Sequence, residues 1–304
     1  MADGEGAGGT KLRSQPLRGI LYMAGAGFCL TLLDVAVKWL TTDYTPPQIA
    51  FIRYGIGICL ATAIATRMGG IGTLKTHRPL GHLLRSALNL GTMLTFYYAL
   101  ARLPLADAIS IGYAAPLFMT VLSVPMLRER VGPRRWMAVL IGFVGVVVIL
   151  RPSDAGLDFG SLLALLSAFL YALTLITSRQ LSGTESSHTI LFYYSIAVLV
   201  ATGAAMPWLW VTPSWNDLWI FAVAGVAGSV GQFLLNQAFR YGEVSLLAPI
   251  EYVTLLWATL FGFAIWGQLP GAAVLIGAAI IIASTLYIVQ REARLRRAVA
   301  KGAP

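Results

Sequence analysis

Glu251 lies seven residues inside the apolar run VSLLAPIEYVTLLWATLFGFAIW, with Pro249 shortly before it and Tyr252 directly after. At 1.5 Å per helical residue that is about 10 Å along a helix, too deep for a carboxylate to reach an interface easily. A charge at the centre of a bilayer costs about 2.5–3.5 kcal/mol on insertion scales, so such residues normally face a bundle interior or a wet cavity. Ala248, Glu251, Leu255, Ala258 and Gly262 share one helical face, most of it small residues. Glu251 is therefore expected to line a polar cavity and there to bind a cationic group or carry a proton. The blander alternative makes it a structural partner of Arg85 or Arg240.

Asp34 shares a face with Gly27, Thr31 and Lys38. It can pair with Lys38 four residues on, or with Arg53 from the next run. Lys38 stands near a helix end, where snorkelling explains it. Arg85 and Asn89 form one i, i+4 pair, and Gln232 and Asn236 form another. Both read either as glue between helices or as cavity lining. Tyr113 and Tyr252, with Tyr97, Tyr98, Tyr171 and Trp257, would make an aromatic wall for a planar or cationic ligand if they converge, and ordinary packing if they do not. The substrate-binding or coupling candidates are thus Glu251, Asp34, Arg85, Asn89, Tyr113, Gln232, Asn236 and Tyr252.

The elements that position these residues follow from composition. The 304 residues are 57% hydrophobic and 12% charged, with a mean hydropathy of +0.74, whereas a soluble domain carries about 25% charged residues. A lipid bilayer is the expected solvent. Spanning it by helix takes about 20 residues, and ten runs qualify, at about 17–40, 47–66, 83–101, 105–127, 135–150, 159–179, 189–210, 217–239, 244–266 and 271–290. With the N-terminus cytoplasmic, 17 of the 22 Lys and Arg fall in cytoplasmic segments and only Arg102 and Arg151 in outer links. That bias follows the positive-inside rule and places both termini in the cytoplasm. It also accounts for the net charge of +9 without a nucleic-acid partner. Trp208, Trp210, Trp215 and Trp219 surround one outer link, as an interfacial belt would.

Enzyme chemistry finds no support. There is no H-E-x-x-H and no P-loop. His77, His82 and His188 fall in or beside cytoplasmic links, so neither a metal nor a cofactor is expected. Cys29 and Cys59 sit in apolar runs and read as packing residues. The Gly-rich residues 1–16 read as a disordered cytoplasmic N-terminus rather than a signal peptide, and residues 291–304 as a basic cytoplasmic tail.

The halves resemble each other. A shift of 141 residues pairs Phe28 with Phe169, Lys38 with Arg179 and Phe51 with Phe192, and a shift of 139 pairs Ala99 with Ala238, Tyr113 with Tyr252 and Glu129 with Gln268. Five spans per half, an odd number, require the repeats to insert with opposite orientation. Inverted repeats characterise secondary transporters, whose site lies near the midplane between them.

The stretch ARLPLADAISIGYAAPLFMTVLSVPMLRERVGPRRWMAVLIGFVGVVVIL resembles an EamA repeat of the drug/metabolite transporter superfamily in Ala106, Ala108, Pro116, Glu129–Arg130, Gly142 and Gly145. The second copy departs at Gly267–Gln268, where Gly-Glu is usual. The resemblance implies an all-α membrane protein with ten transmembrane helices in two inverted five-helix repeats, residues 17–150 and 159–290, around a central cavity. It implies a secondary active transporter in the cytoplasmic (inner) membrane, moving a small organic metabolite such as an amino acid, vitamin or cofactor-like solute by alternating access. The rivals are a non-transport membrane protein, either an intramembrane enzyme or a structural or receptor subunit. Gly142, Gly145 and Gly277 would serve either a homodimer or packing within the chain.

Overall fold

The computed structural model describes residues 16–68, 79–129, 131–151, 158–181, 187–242 and 244–300. Apart from Pro16, the expected N-terminal tail lies outside the described residues, as do Lys75 and Arg78 in the link after the second run. Among the described residues there are twelve helices and no strand: α1 (Pro16–Leu40), α2 (Pro46–Met68), α3 (Pro79–Leu100), α4 (Leu105–Gly112), α5 (Ala115–Leu127), α6 (Pro133–Leu150), α7 (Phe159–Leu181), α8 (Ser187–Leu209), α9 (Leu218–Tyr241), α10 (Val244–Glu251), α11 (Val253–Trp266) and α12 (Ala272–Ala300). The basic tail expected from Arg291 is therefore helical through Ala300.

Helix starts and stops are written locally. α1, α2, α3 and α6 each begin on a proline, whose fixed φ and missing N–H suit the first helical position. α11 ends at Gly267, which has φ +66°, with Gln268 N–H donating to the Gly262 carbonyl at 3.0 Å. α5 ends the same way 139 positions earlier: Arg128 has φ 54°, and Glu129 N–H donates to the Ser123 carbonyl at 3.3 Å. This is the left-handed helix stop that glycine adopts most readily.

Two of the ten expected runs differ from continuous helices. The run 105–127 is α4 and α5, and the run 244–266 is α10 and α11. Pro116 supplies no N–H to the Gly112 carbonyl, and Ala114 N–H instead takes the tighter Ile111 carbonyl at 2.9 Å. In the second case Pro249 lies within α10, and α10 gives way to α11 at Tyr252. Seven described stretches are long and apolar enough to cross a membrane, and Tyr193–Leu209 is a shorter apolar helix. α2 and α3, which carry Arg53 and Arg85, are not among the seven.

α1 lies along α9, α3 along α7, α6 along α12 and α2 along α8. One end of the bundle is rich in tryptophan, with Trp39 and Trp266 in ring contact at 6.3 Å and Trp208, Trp210, Trp215 and Trp219 nearby in sequence. At the α6–α12 crossing two backbones meet at facing glycines. A Cβ built at Gly145 would fall 2.7 Å from the Gly277 carbonyl oxygen, and one at Gly277 would fall 2.5 Å from that of Gly145. These two glycines are thus engaged within the chain. Gly145→Ala is expected to destabilise the detergent-solubilised protein by about 1–3 kcal/mol, since backbone cannot move aside as a side chain can. Gly112→Ala, with open space around the added carbon, is expected to be neutral or mildly stabilising. Thermal unfolding of the two variants side by side checks both.

Candidate functional site

The two helix breaks meet. Tyr113 ends α4 with φ −65° and ψ −5°, and Tyr252 precedes α11 with φ −71° and ψ −9°. Their rings touch edge to face, with centroids 4.9 Å apart and planes at 79°. The Tyr113 hydroxyl is hydrogen-bonded to the Thr254 hydroxyl, and Thr254 Oγ1 donates to the Glu251 carbonyl at 2.7 Å. That carbonyl lies where the helix breaks, so the threonine occupies it and carries the Tyr113 contact across to the other break.

Glu251, the last residue of α10, is exposed and interacts electrostatically with Tyr113, Tyr171 and Tyr252. Tyr171 on α7 is 42% exposed and interacts with both Glu251 and Arg85. Neither suggested structural partner is engaged with the Glu251 carboxylate. Arg85 Nε donates to Ser178 Oγ at 2.7 Å and its guanidinium lies over the Tyr194 ring at 5.6 Å, while Arg240 donates to Gln237 at 3.3 Å. Asn89, one turn beyond Arg85, is half-buried.

Gln232 and Asn236 are exposed and joined by a 3.4 Å hydrogen bond. They continue the α9 stripe of Gly225, Gly228 and Ser229, which nearer the tryptophan-rich end packs on Ile56, Arg53 and Gly57 of α2.

Asp34 takes the alternative partner. It interacts electrostatically with Arg53, whereas Lys38 donates to the carbonyls of Leu100 (3.0 Å) and Leu103 (2.5 Å) and caps the end of α3. Arg53 donates to Tyr97 Oη at 2.6 Å and lies over the Tyr54 ring at 4.9 Å. The Tyr54 hydroxyl in turn bonds the Tyr194 hydroxyl. Gly228 makes room for this guanidinium: a Cβ there would fall 2.7 Å from Arg53 Nε. Sequence reading missed this cluster as a unit, although Tyr54 and Tyr194 stand 140 residues apart, between the two repeat offsets.

The expected aromatic wall is only partly assembled. Tyr113, Tyr252 and Tyr171 converge near Glu251. Tyr97 is instead buried on Arg53, Tyr98 is exposed beside Arg102, and Trp257 packs against Phe28 and Phe261. Packing between neighbouring helices claims Tyr97 and Trp257. His82, expected at a link edge, is buried on α3 with its ring 5.0 Å from that of Tyr193.

At the tryptophan-rich end, residues far apart in sequence tie the link before α9 to the start of α2. Fully buried Gln48 donates to the Val211 carbonyl at 2.5 Å and accepts from Val211 N–H at 2.9 Å. The Tyr44 hydroxyl donates to Asp217 at 2.7 Å and accepts from Ser214 N–H at 3.0 Å, and Ser214 Oγ donates to Asp217 at 2.6 Å. The Ser214 and Tyr44 hydroxyls hold the Asp217 carboxyl below the usual aspartate range.

Comparison with known proteins gives one consistent family. The EamA-like transporter family pattern matches residues 17–151 and again 158–290. A riboflavin transporter of Rhizobium johnstonii is 30% identical over 294 residues, covering 95% of this chain and 97% of that protein. An S-adenosylmethionine uptake transporter of Rickettsia bellii is 32% identical, covering 89% and 95%. A pseudopaline exporter of Pseudomonas aeruginosa is 27% identical, also covering 89% and 95%. A solved crystal structure shares the fold with a TM-score of 0.63 at 19% identity, covering 93% of this chain and 99% of that one.

Gln48→Ala is expected to raise hydrogen–deuterium exchange of the 210–217 segment about tenfold at pH 7, for a loss of about 1–2 kcal/mol of hydrogen bonding. Because the bonds to Asp217 favour its charged form, its contribution is present above the ordinary aspartate pKa of about 3.9 and is lost as pH falls through the lowered value. Protection of the segment, corrected for intrinsic exchange, should therefore be constant from about pH 7 to 5.

Proposed function

The chain belongs to the EamA-like transporter family, and from that premise we propose how it works as a transporter of small metabolites rather than an enzyme. It is a multi-pass secondary carrier of the cytoplasmic membrane, with ten spans in two inverted repeats of five and alternating access to a midplane site. α4–α5 and α10–α11 are each one broken span. The repeats cover residues 17–150 and 159–290. The tryptophan-rich end faces outward, and both termini, with the N-terminal tail and the basic C-terminal segment, are cytoplasmic.

The observation that carries this reading is the meeting of Tyr113 and Tyr252. The two are repeat counterparts, so a residue that touches its own counterpart lies near the axis relating the halves. Packing supports the exchange: mapping one repeat on the other turns the α1–α9 pair into α7–α3, and leaves α2–α8 and α6–α12 unchanged. Broken helices meeting at mid-depth are how carriers of this architecture build a substrate site. Glu251, Tyr113, Tyr252, Arg85, Asn89, Gln232 and Asn236 line that site, and Asp34 with Arg53 forms its floor toward the outer end. The solutes named for the relatives, riboflavin and S-adenosylmethionine, both carry a planar heteroaromatic ring that suits a tyrosine-lined cavity.

Purified protein in proteoliposomes should take up radiolabelled riboflavin or S-adenosylmethionine. The combined variant Glu251→Gln, Asp34→Asn, Tyr113→Phe should lose at least tenfold of that rate, as removal of charged hydrogen-bonding groups requires. Uptake equal to wild type would overturn the site assignment.

A further inference from the structure

Resting on the carrier reading above, we propose that the cavity is a bipolar receptor for an amphoteric metabolite, with Glu251 taking its cationic group and Arg85 its carboxylate or other anionic group.

Arg85 is six residues into α3 and Glu251 seven into α10, which puts both about 10 Å from the same end of the bundle. Opposite charges at one depth in a low-dielectric interior attract strongly, and the simplest arrangement would be an ion pair. The structure holds them apart. Arg85 is fixed by its bond to Ser178 and its seat on Tyr194, and Tyr171 interacts with both charges. Among the described residues the Glu251 carboxylate accepts no hydrogen bond.

Arg85 Nη1 is buried without a hydrogen-bond partner. A buried charged donor left unpaired is expensive, and a guanidinium recovers most when it meets a planar two-oxygen anion. Its Nε and one face of its guanidinium are already used by the protein, so the remaining donors are fixed in direction before any ligand arrives. Glu251, which interacts with Tyr113, Tyr171 and Tyr252, offers a cation a carboxylate with aromatic side chains close by. A solute with one charge leaves one of the two groups unmatched. A solute with opposite charges several bonds apart matches both.

The test uses the full chain in proteoliposomes with three probes: S-adenosylmethionine, its decarboxylated form, which keeps the cations and loses the carboxylate, and uncharged riboflavin. The expected result is uptake of labelled S-adenosylmethionine against which the decarboxylated form competes at least tenfold more weakly than unlabelled S-adenosylmethionine. Arg85→Gln should abolish that preference, Arg85→Lys should keep part of it, and Glu251→Gln should weaken both S-adenosyl solutes alike. Equal competition by the two in wild type, or a preference that survives Arg85→Gln, overturns the proposal. If Arg85→Gln does not fold, by thermal unfolding, the wild-type competition and Arg85→Lys decide. Uptake of riboflavin alone overturns the bipolar receptor and leaves the carrier reading standing, whereas uptake of none of the three overturns both.

Discussion

Everything in this structure answers to one constraint. In hydrocarbon each backbone N–H and C=O must find its partner inside the protein, so helices can break only where other protein or a wet cavity receives the freed groups. The chain breaks two apolar runs, at Tyr113–Ala114 and at Tyr252, and sets the breaks against each other. Each break thereby shelters the other, and Thr254 takes the Glu251 carbonyl and the Tyr113 hydroxyl together. The same arrangement leaves a carboxylate at mid-depth. Glu251 stands at the second break, in electrostatic contact with Tyr113, Tyr171 and Tyr252.

A second consequence is the division of labour among the charges. Lys38 is absorbed by the end of α3, and Arg53 by tyrosines from three helices and by Asp34. These groups stiffen the half of the bundle toward the tryptophan-rich end, where Gln48, Tyr44 and Asp217 close the surface. Arg85 and Glu251 lie in the other half and are less completely satisfied. At that other end the packing is apolar and aromatic, with Met23, Ala238 and Leu247 buried together and Tyr22 stacked on Tyr241.

Much of this was legible in the sequence because membranes enforce simple patterns. The apolar runs, their charge bias and the repeat offset follow from one-dimensional spacing, and Glu251 stood out because a lone carboxylate in an apolar run has few innocent explanations. Less legible were features made by convergence. Pro116 and Pro249 were visible, but where each chain would yield depends on which carbonyl finds a substitute donor. The competition between Lys38 and Arg53 for Asp34 was decided by the carbonyls of Leu100 and Leu103, which no side-chain pattern reveals. Tyr97, Tyr98 and Trp257 were grouped with the cavity by residue type and depth, yet each points to a different neighbour. The ties between the α9 link and α2 join residues more than 160 positions apart, beyond the reach of any local rule.

The crossing of α6 and α12 has a mechanical meaning. Where Gly145 and Gly277 face each other, each carbonyl occupies the space a side chain would need. Two helices in such contact cannot slide lengthwise without lifting one carbonyl over another, but they can roll about the point of contact with little change in distance. The crossing is a fulcrum. Motion near it is small and grows with distance along the bundle, so a slight roll at the glycines becomes a large displacement at the helix ends. In that geometry a roll leaves the glycine contact nearly in place and carries the displacement to the ends of the two helices.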